Sequence, residues 1–411
     1  MGTRGDDKGL KFYSPGARDL LPLDVAQKRW VEQRLQERFR RWGYHRIITS
    51  TLEQLDTLMA GGAIKPATVI QLEDAESGTL GLRPELTASI ARATALRMGA
   101  DYPQRLYYNA NVFRRSQVGH HGRQQEFYQA GVELLGGGGL LADAEILLLL
   151  ADCLNYLGLD KWHLILGEAG LMLSLLSSFP THLQDKVRFC IAHLDRVTLE
   201  SLPLSPEHRH LASQLFDLRG EPKVVLQKIA GLQLDEAGRE IVHNLKSLVE
   251  LLNDSCTAPL PLILDLSLIQ TFDYYTGIVF EVVSDADATA RVLGQGGRYD
   301  RLLGLYHPQG QTYPGIGFSL NIEDLQQVLR SNSGMPQATP ASEWLVVAQT
   351  PEAIAAAFAY AEKLRDSQHL VRVEMDLGGR EPDELREYAR SRRISRIAWV
   401  KAEDSREIET L

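Results

Sequence analysis

Apolar positions change period several times along the chain, and those changes divide it. Ala26, Trp30, Val31, Leu35, Phe39 and Trp42 fall on one stripe, which predicts an amphipathic helix from about Val25 to Trp42 packed on a large partner. Asp24 with Gln27 three residues on reads as its capping box, and Gly43 as its stop. A second helix is expected from Thr87 to Met98, ended by Gly99. From Arg105 to Arg114, and again from Phe127 to Leu135, strand formers dominate. The polar SQVGHHGRQQE joins them, so a long antiparallel hairpin is predicted. GGGGLLADAE then opens a helix that holds Ile146 to Leu157, with Gly158 as its stop. No GK[ST] follows the four glycines, so they read as a turn and not as a phosphate cradle.

Residues 171–257 are leucine-rich and periodic, the pattern of an inserted helical subdomain. Strand character returns at Pro261 to Leu268 and at Thr276 to Val283. A glycine-rich turn, LGQGGRYD, and the apolar segment TYPGIGFSLNIEDLQQVL follow. SNSGMPQATPAS, residues 331–342, is a linker by composition. It separates a core of residues 1–330 from a small unit at 343–411. In that unit WLVVA, a helix, LVRVEMDL, a helix and RIAWV alternate, which predicts βαβαβ with a parallel sheet.

Composition narrows the function. The 411 residues are 44% hydrophobic and 24% charged, ordinary for a globular protein of two or three domains. With 53 acidic against 44 basic side chains the formal charge is −9, which argues against broad electrostatic capture of nucleic acid. Cys153, Cys190 and Cys256 show no metal-like spacing and fit free thiols in a reducing cytoplasm. The most apolar stretch, Ile146 to Leu150, is far short of the ~18 residues a membrane span needs. No metal site and no cofactor is expected, and no membrane association.

Four segments could carry chemistry. On a strand, FYQAGVEL puts Gln129, Gly131 and Glu133 on one face, the two polar residues about 13 Å apart at ~3.3 Å per residue. That spacing suits a small polar molecule on bare backbone, though a solvated sheet face with a glycine bulge leaves the same pattern. In LRPELT, Glu85 and Thr87 sit where a strand gives way to a helix, and Thr87 could serve simply as an N-cap. In DYYTGIVFE, Asp273, Tyr275, Gly277 and Glu281 alternate onto one face. In GQGGRYD, Gly296 and Gly297 allow a close backbone approach.

Taken in order, GLRPELT, the hairpin VFRR…GRQQEFYQAGVE, DYYTGIVFE and GGRYD resemble the class II aminoacyl-tRNA synthetase core of the histidyl-tRNA synthetase family. The resemblance runs from PGARDLLP at Pro15 to about Leu325. Residues 343–411 resemble a truncated form of that family's anticodon-binding domain. It implies an α+β fold: an antiparallel sheet flanked by helices, with a helical insertion and a small C-terminal α/β domain. It also implies that Glu85, Thr87, Gln129, Glu133, Tyr274, Tyr275 and Tyr299 surround the amino acid histidine. A carboxylate suits the ligand's ammonium, and Glu133 beside tyrosine hydroxyls suits imidazole N–H groups.

The sequence departs from the family on the ATP side. Arg114 and Arg123 match motif 2 arginines and could hold an anion, but the glutamate two residues after the first arginine is Ser116. The arginine before Asp-Tyr-Tyr is Gln270, the motif 3 arginine is Asp324, and the motif 1 proline is Ser50. Transfer chemistry on ATP relies on fixed cations, so adenylation is not expected. This combination of kept and lost groups resembles the regulatory subunits of ATP phosphoribosyltransferase. The resemblance implies a catalytically silent chain that senses histidine, self-dimerises, and joins the short-form catalytic subunit in a hetero-octamer. The resemblance further implies that such a chain is required for the first step of histidine biosynthesis and confers feedback inhibition by histidine on it, and tRNA is not an expected partner. The alternative is a divergent histidyl-tRNA synthetase that still charges tRNA.

Overall fold

A computed structural model describes residues 18–411 except 63, 77, 99–100, 116–123, 257–258, 269–274, 286–289, 331–333 and 403–404, with only the backbone of residue 402. The chain divides into two compact units, Met1–Met335 and Pro336–Leu411.

In the first unit the strands are β1 (His45–Arg46), β2 (Leu52–Gln54), β3 (Ile70–Asp74), β4 (Gly78–Leu82), β5 (Gln104–Phe113) and β6 (Glu126–Leu135). They continue with β7 (Trp162–Glu168), β8 (Arg219–Gly220), β9 (Leu262–Asp265), β10 (Ile278–Ser284), β11 (Arg291–Arg298) and β12 (Gly315–Asn321). Nine of these form one sheet in the order β1-β5-β6-β12-β11-β10-β7-β9-β8. Its middle is antiparallel, while β1 pairs with β5 and β7 with β9 in parallel. The remaining three make a small sheet, β2-β4-β3.

The long hairpin falls close to its predicted bounds as β5 and β6. The first helix, Pro22–Arg41, starts three residues earlier than expected. Pro22 at its first position has no N–H to leave unpaired, and Asp24 accepts from the Leu21 N–H at 2.9 Å, so Asp24 lies inside the first turn. Its buried members Val31, Leu35 and Phe39 lie in the main core with Val132, Ile316 and Phe318 of the sheet. The LGQGGRYD segment is a second correction. It is the body of β11, paired on both sides by β10 and β12, and not a turn. Glycine is a weak strand former, but here it sits mid-sheet where side chains cross over the backbone. Strand β7 carries no prediction at all, because WHLILGE is short and apolar and shows neither period clearly.

Residues 169–255 form six helices and the two-residue strand β8. Their apolar faces, among them Leu175, Val187, Leu215, Ile229 and Leu248, continue the core of the large sheet. The three cysteines are free thiols. No helix among the described residues is long and apolar enough to cross a membrane.

The second unit holds β13 (Trp344–Ala348), β14 (Val373–Met375), β15 (Arg396–Ala402) and β16 (Ser405–Thr410), in the order β14-β13-β15-β16. The predicted parallel βαβαβ forms, and β16 adds an antiparallel edge that was not expected. SREIET carries mostly exposed side chains, so no apolar alternation announced it.

Candidate functional site

The register of the central strands assembles a polar floor. Opposite residues of an antiparallel pair share a face, so Gln129, Gly131 and Glu133 on β6 align with Asn321, Ser319 and Gly317 on β12. Ser319 and Gly317 in turn face Gln295 and Gly297 on β11, and Gly131 faces Tyr108 on β5. Two of these glycines admit what lies on them. A Cβ on Gly317 would run into the Glu133 carboxylate, and one on Gly297 would sit 2.7 Å from the Tyr275 ring.

Above this floor opens a small polar cavity, lined by Glu85, Thr87, Tyr108, Arg114, Gln129, Glu133, Tyr275, Gln295, Gly296, Tyr299, Gly317, Phe318 and Ser319. Six of the seven residues expected around an amino acid therefore meet in one place, and Arg114 joins them. Tyr274, Ser116, Arg123 and Gln270 lie outside the described residues. Asp324 does not line the cavity; it pairs with Arg291 at 2.7 Å. Gly277 also parts from Tyr275, because β10 begins only at Ile278, and it packs against the Arg298 side chain instead.

Glu133 anchors the site. It is 1% exposed, accepts from the Thr87 hydroxyl at 2.8 Å, and also accepts from the Tyr299 hydroxyl. Burial pushes its carboxyl up to about 8, against the pull of those two hydrogen bonds, with Glu85 adding to the rise. Thr87 is thus not an N-cap. It opens the helix Thr87–Arg97, and the Glu85 carboxylate caps that helix by accepting from Thr87 N–H at 2.6 Å and Ala88 N–H at 2.9 Å. Burial raises Glu85 as well, opposed by those hydrogen bonds and by Arg114.

The turn that carries Glu85 is fixed from below. The buried Arg83 donates to the carbonyls of Thr49, Ser50 and Asn111 at 2.9, 3.1 and 3.0 Å. Arg114 Nε donates to the Pro84 carbonyl at 2.8 Å. Gln129 Nε2 donates to Asn321 Oδ1 at 3.2 Å.

Sequence reasoning missed Tyr108, Gln295, Gly317, Phe318 and Ser319. Tyr108 had a signal: a glycine in mid-strand invites a ring from the neighbouring strand, and Tyr108 is the residue paired with Gly131. Gln295 and Ser319 had none, since only the pairing of distant strands brings them to the floor. The described lining residues include no His, Cys or Lys, and no group of acids, histidines and cysteines among the described residues could hold a metal.

The family model described as Histidyl-tRNA synthetase matches residues 16–325. A protein of Nostoc punctiforme named ATP phosphoribosyltransferase regulatory subunit is 67% identical over 402 residues, covering 97% of this chain and 99% of that one. Its namesake in Trichormus variabilis is 64% identical over 400 residues, 97% and 98% of the two chains. A solved Bacillus halodurans structure, described as an ATP phosphoribosyltransferase regulatory subunit/histidyl-tRNA synthetase, superposes with a TM-score of 0.79 at 30% identity, over 93% and 97% of the chains. Histidyl-tRNA synthetase from a Nostoc strain shares the fold, with a TM-score of 0.78 over 98% and 97% but only 18% identity.

That same strain has a protein named as the regulatory subunit, 64% identical to this chain over 400 residues. Two proteins of one fold in one strain thus stand at very different distances from this chain, and the divergent-synthetase alternative gives way. The chain belongs to the family of ATP phosphoribosyltransferase regulatory subunits, a non-catalytic branch of the histidyl-tRNA synthetase fold.

Proposed function

We propose that free histidine occupies this cavity and, through it, regulates an ATP phosphoribosyltransferase catalytic chain of the short form. The carrying observation is Glu133: a buried carboxylate held by two hydroxyls on a floor stripped of side chains. An imidazole N–H supplies the donor that such an acceptor requires. Glu85, Gln129 and Thr87 offer acceptors to the ammonium, and Tyr275 lines the cavity for the ring.

Regulation follows by linkage: histidine binds one state of the complex more tightly and shifts it toward the less active one. The assembly we propose is a self-dimer of this chain within a hetero-octamer. The second unit is read as an anticodon-binding-like domain without a tRNA role. Two of its arginines are tied to its own acids, Arg386 to Asp383 and Glu409 and Arg380 to Asp376.

Reconstitution with a short-form catalytic chain tests the reading. The catalytic chain is expected to gain activity from this protein and to lose it again as histidine is added. Histidine-dependent exchange of pyrophosphate into ATP should be undetectable. Robust exchange, or activity indifferent to this chain, would overturn the proposal.

A further inference from the structure

We infer that occupancy of the histidine cavity is carried through the sheet by the stretch Arg298–Tyr299–Asp300 to two helices on its other face, Gly139–Tyr156 and Glu236–Ser255. The inference rests on the histidine reading and assigns the route by which that site is felt elsewhere in the chain.

A second cavity leads to it, with Asp143, Ile241, Leu245, Leu248, Arg298 and Asp300 in its wall. Gly297 belongs to the floor of the first cavity, so Arg298, one residue on, points to the opposite face of β11. Among the described residues the two cavities share none. Neighbours in the chain divide between them instead. Tyr299 lines the first and Arg298 and Asp300 the second, just as Tyr275 lines the first and Gly277 the second. A displacement on one side therefore has only one or two peptide units to cross.

The near end of the route responds to a ligand. Both oxygens of the Glu133 carboxylate are taken, one by the Thr87 hydroxyl at 2.8 Å and the other by the Tyr299 hydroxyl. An imidazole N–H that joins them must share an oxygen with one of these donors and so moves it. Tyr299 is buried with its ring against Gly315, and in so dense a setting its hydroxyl does not shift alone. The middle of the route is stiff. Tyr299 N–H donates to the Gly315 carbonyl at 2.7 Å, Gly315 N–H to Asp300 Oδ1 at 3.3 Å, and Asp300 N–H to Thr276 Oγ1 at 3.0 Å. Arg298 then donates to Asp300 at 3.0 Å and to Asp143, on the helix Gly139–Tyr156, at 2.9 Å. The far end is open. Ile241, Leu245 and Leu248 of the helix Glu236–Ser255 meet Arg298 across the second cavity, which leaves that helix room to follow a shift of the guanidinium.

Hydrogen exchange of the full chain, read by mass spectrometry with and without saturating histidine, tests this. The helix Thr181–Ala192 lines neither cavity and serves as the reference for any general stabilisation. In the wild type, histidine should slow exchange about 5- to 10-fold beyond that reference at 139–148 and 241–252, as well as at 85–91 and 129–135. Asp143→Asn lies outside the histidine cavity and loosens the tie to Arg298. In that variant the slowing should persist at 85–91 and 129–135 and fall to the reference at 139–148 and 241–252. A wild type that binds histidine with both helices at the reference level would overturn the inference, as would helix slowing undiminished in Asp143→Asn. Circular dichroism and melting temperature report whether the variant folds. If it does not, Tyr299→Phe cuts the route at its other end: at saturating histidine the helices should again fall to the reference, and slowing equal to wild type overturns the inference. Failure of the wild type to bind histidine at all would sink the histidine reading itself, a distinct outcome.

Discussion

Two regions of the first unit teach opposite lessons about what a binding site costs to keep. Around Glu133 everything is buried and interlocked: Thr87 and Tyr299 donate to it, Gly317 makes room for it, and Tyr108 lies over Gly131 beside it. Around Asp324 the arrangement is loose. Its carboxylate meets Arg291 at 2.7 Å, but both side chains are about a third exposed. By resemblance, the second place is where a synthetase sets a cation for ATP, and here an acid has been absorbed into a surface pair. The first cannot change one residue without leaving a buried polar group unpaired; the second can exchange charge at little expense. Under the proposed function, nucleotide chemistry is dropped where a change of charge is cheap, and the amino-acid pocket is kept where it is not.

Breaking the interlocked region should give the largest effect. Glu133→Gln keeps the shape but replaces one carboxyl oxygen by an amide nitrogen that cannot accept a hydrogen bond, and histidine affinity by calorimetry is expected to fall about 100-fold. The same variant has a pH signature. A carboxyl raised to about 8 in the folded chain, from an ordinary value of 4.5, binds its proton better folded than unfolded. Its contribution to stability is complete below about 4.5 and is lost as pH climbs through about 8, at ~1.4 kcal/mol per unit of difference. The wild type's melting temperature should therefore decline from pH 5 to pH 8 more steeply than that of Glu133→Gln. Parallel curves would show that Glu133 is not held protonated.

Gly317→Ala attacks the same region from its floor. The new methyl collides with the Glu133 carboxylate and the Val132 carbonyl. Overpacking of this kind costs about 1–3 kcal/mol, and the displaced carboxylate should weaken histidine about tenfold. Full affinity in a stable Gly317→Ala would mean that Glu133 can move without consequence, and the contrast drawn above would fail.

The sequence carried the site better than the sheet that builds it. Glu85, Thr87, Gln129, Glu133, Tyr275 and Tyr299 were legible because each lies in a short run whose order resembles a known core, and the alternation in FYQAGVEL already put Gln129 and Glu133 on one face. What stayed hidden depends on contacts between distant strands. Gln295 and Ser319 reach the floor only through the pairing of β11 with β12, and β7 lacks any period of its own. LGQGGRYD misled for a physical reason: glycines that look like a turn are here a strand thinned so that Tyr275 can lie on Gly297. The role of Glu85 was half seen. Its acid was assigned to a ligand, whereas its nearest partners are the N–H groups of the helix it caps.

The smallest effects should come from the exposed pair, and they complete the comparison. Asp324→Asn removes half of a pair worth about 0–1 kcal/mol, so melting temperature and histidine affinity should barely move. Asp324→Arg is the more telling change, because it restores the residue type that the resemblance calls for. Arg291 stays where Asp324 met it at 2.7 Å, so the new guanidinium faces a like charge and has reason to swing away into solvent. A cation that is not held still contributes little to transition-state charge, since its stabilising power comes from being fixed in advance. Gln270 would remain in place of the second arginine. Pyrophosphate exchange by Asp324→Arg should therefore stay at background while histidine binds as before. Measurable exchange would mean that one charge alone separates this chain from a synthetase, and that the loose region governs function as firmly as the buried one.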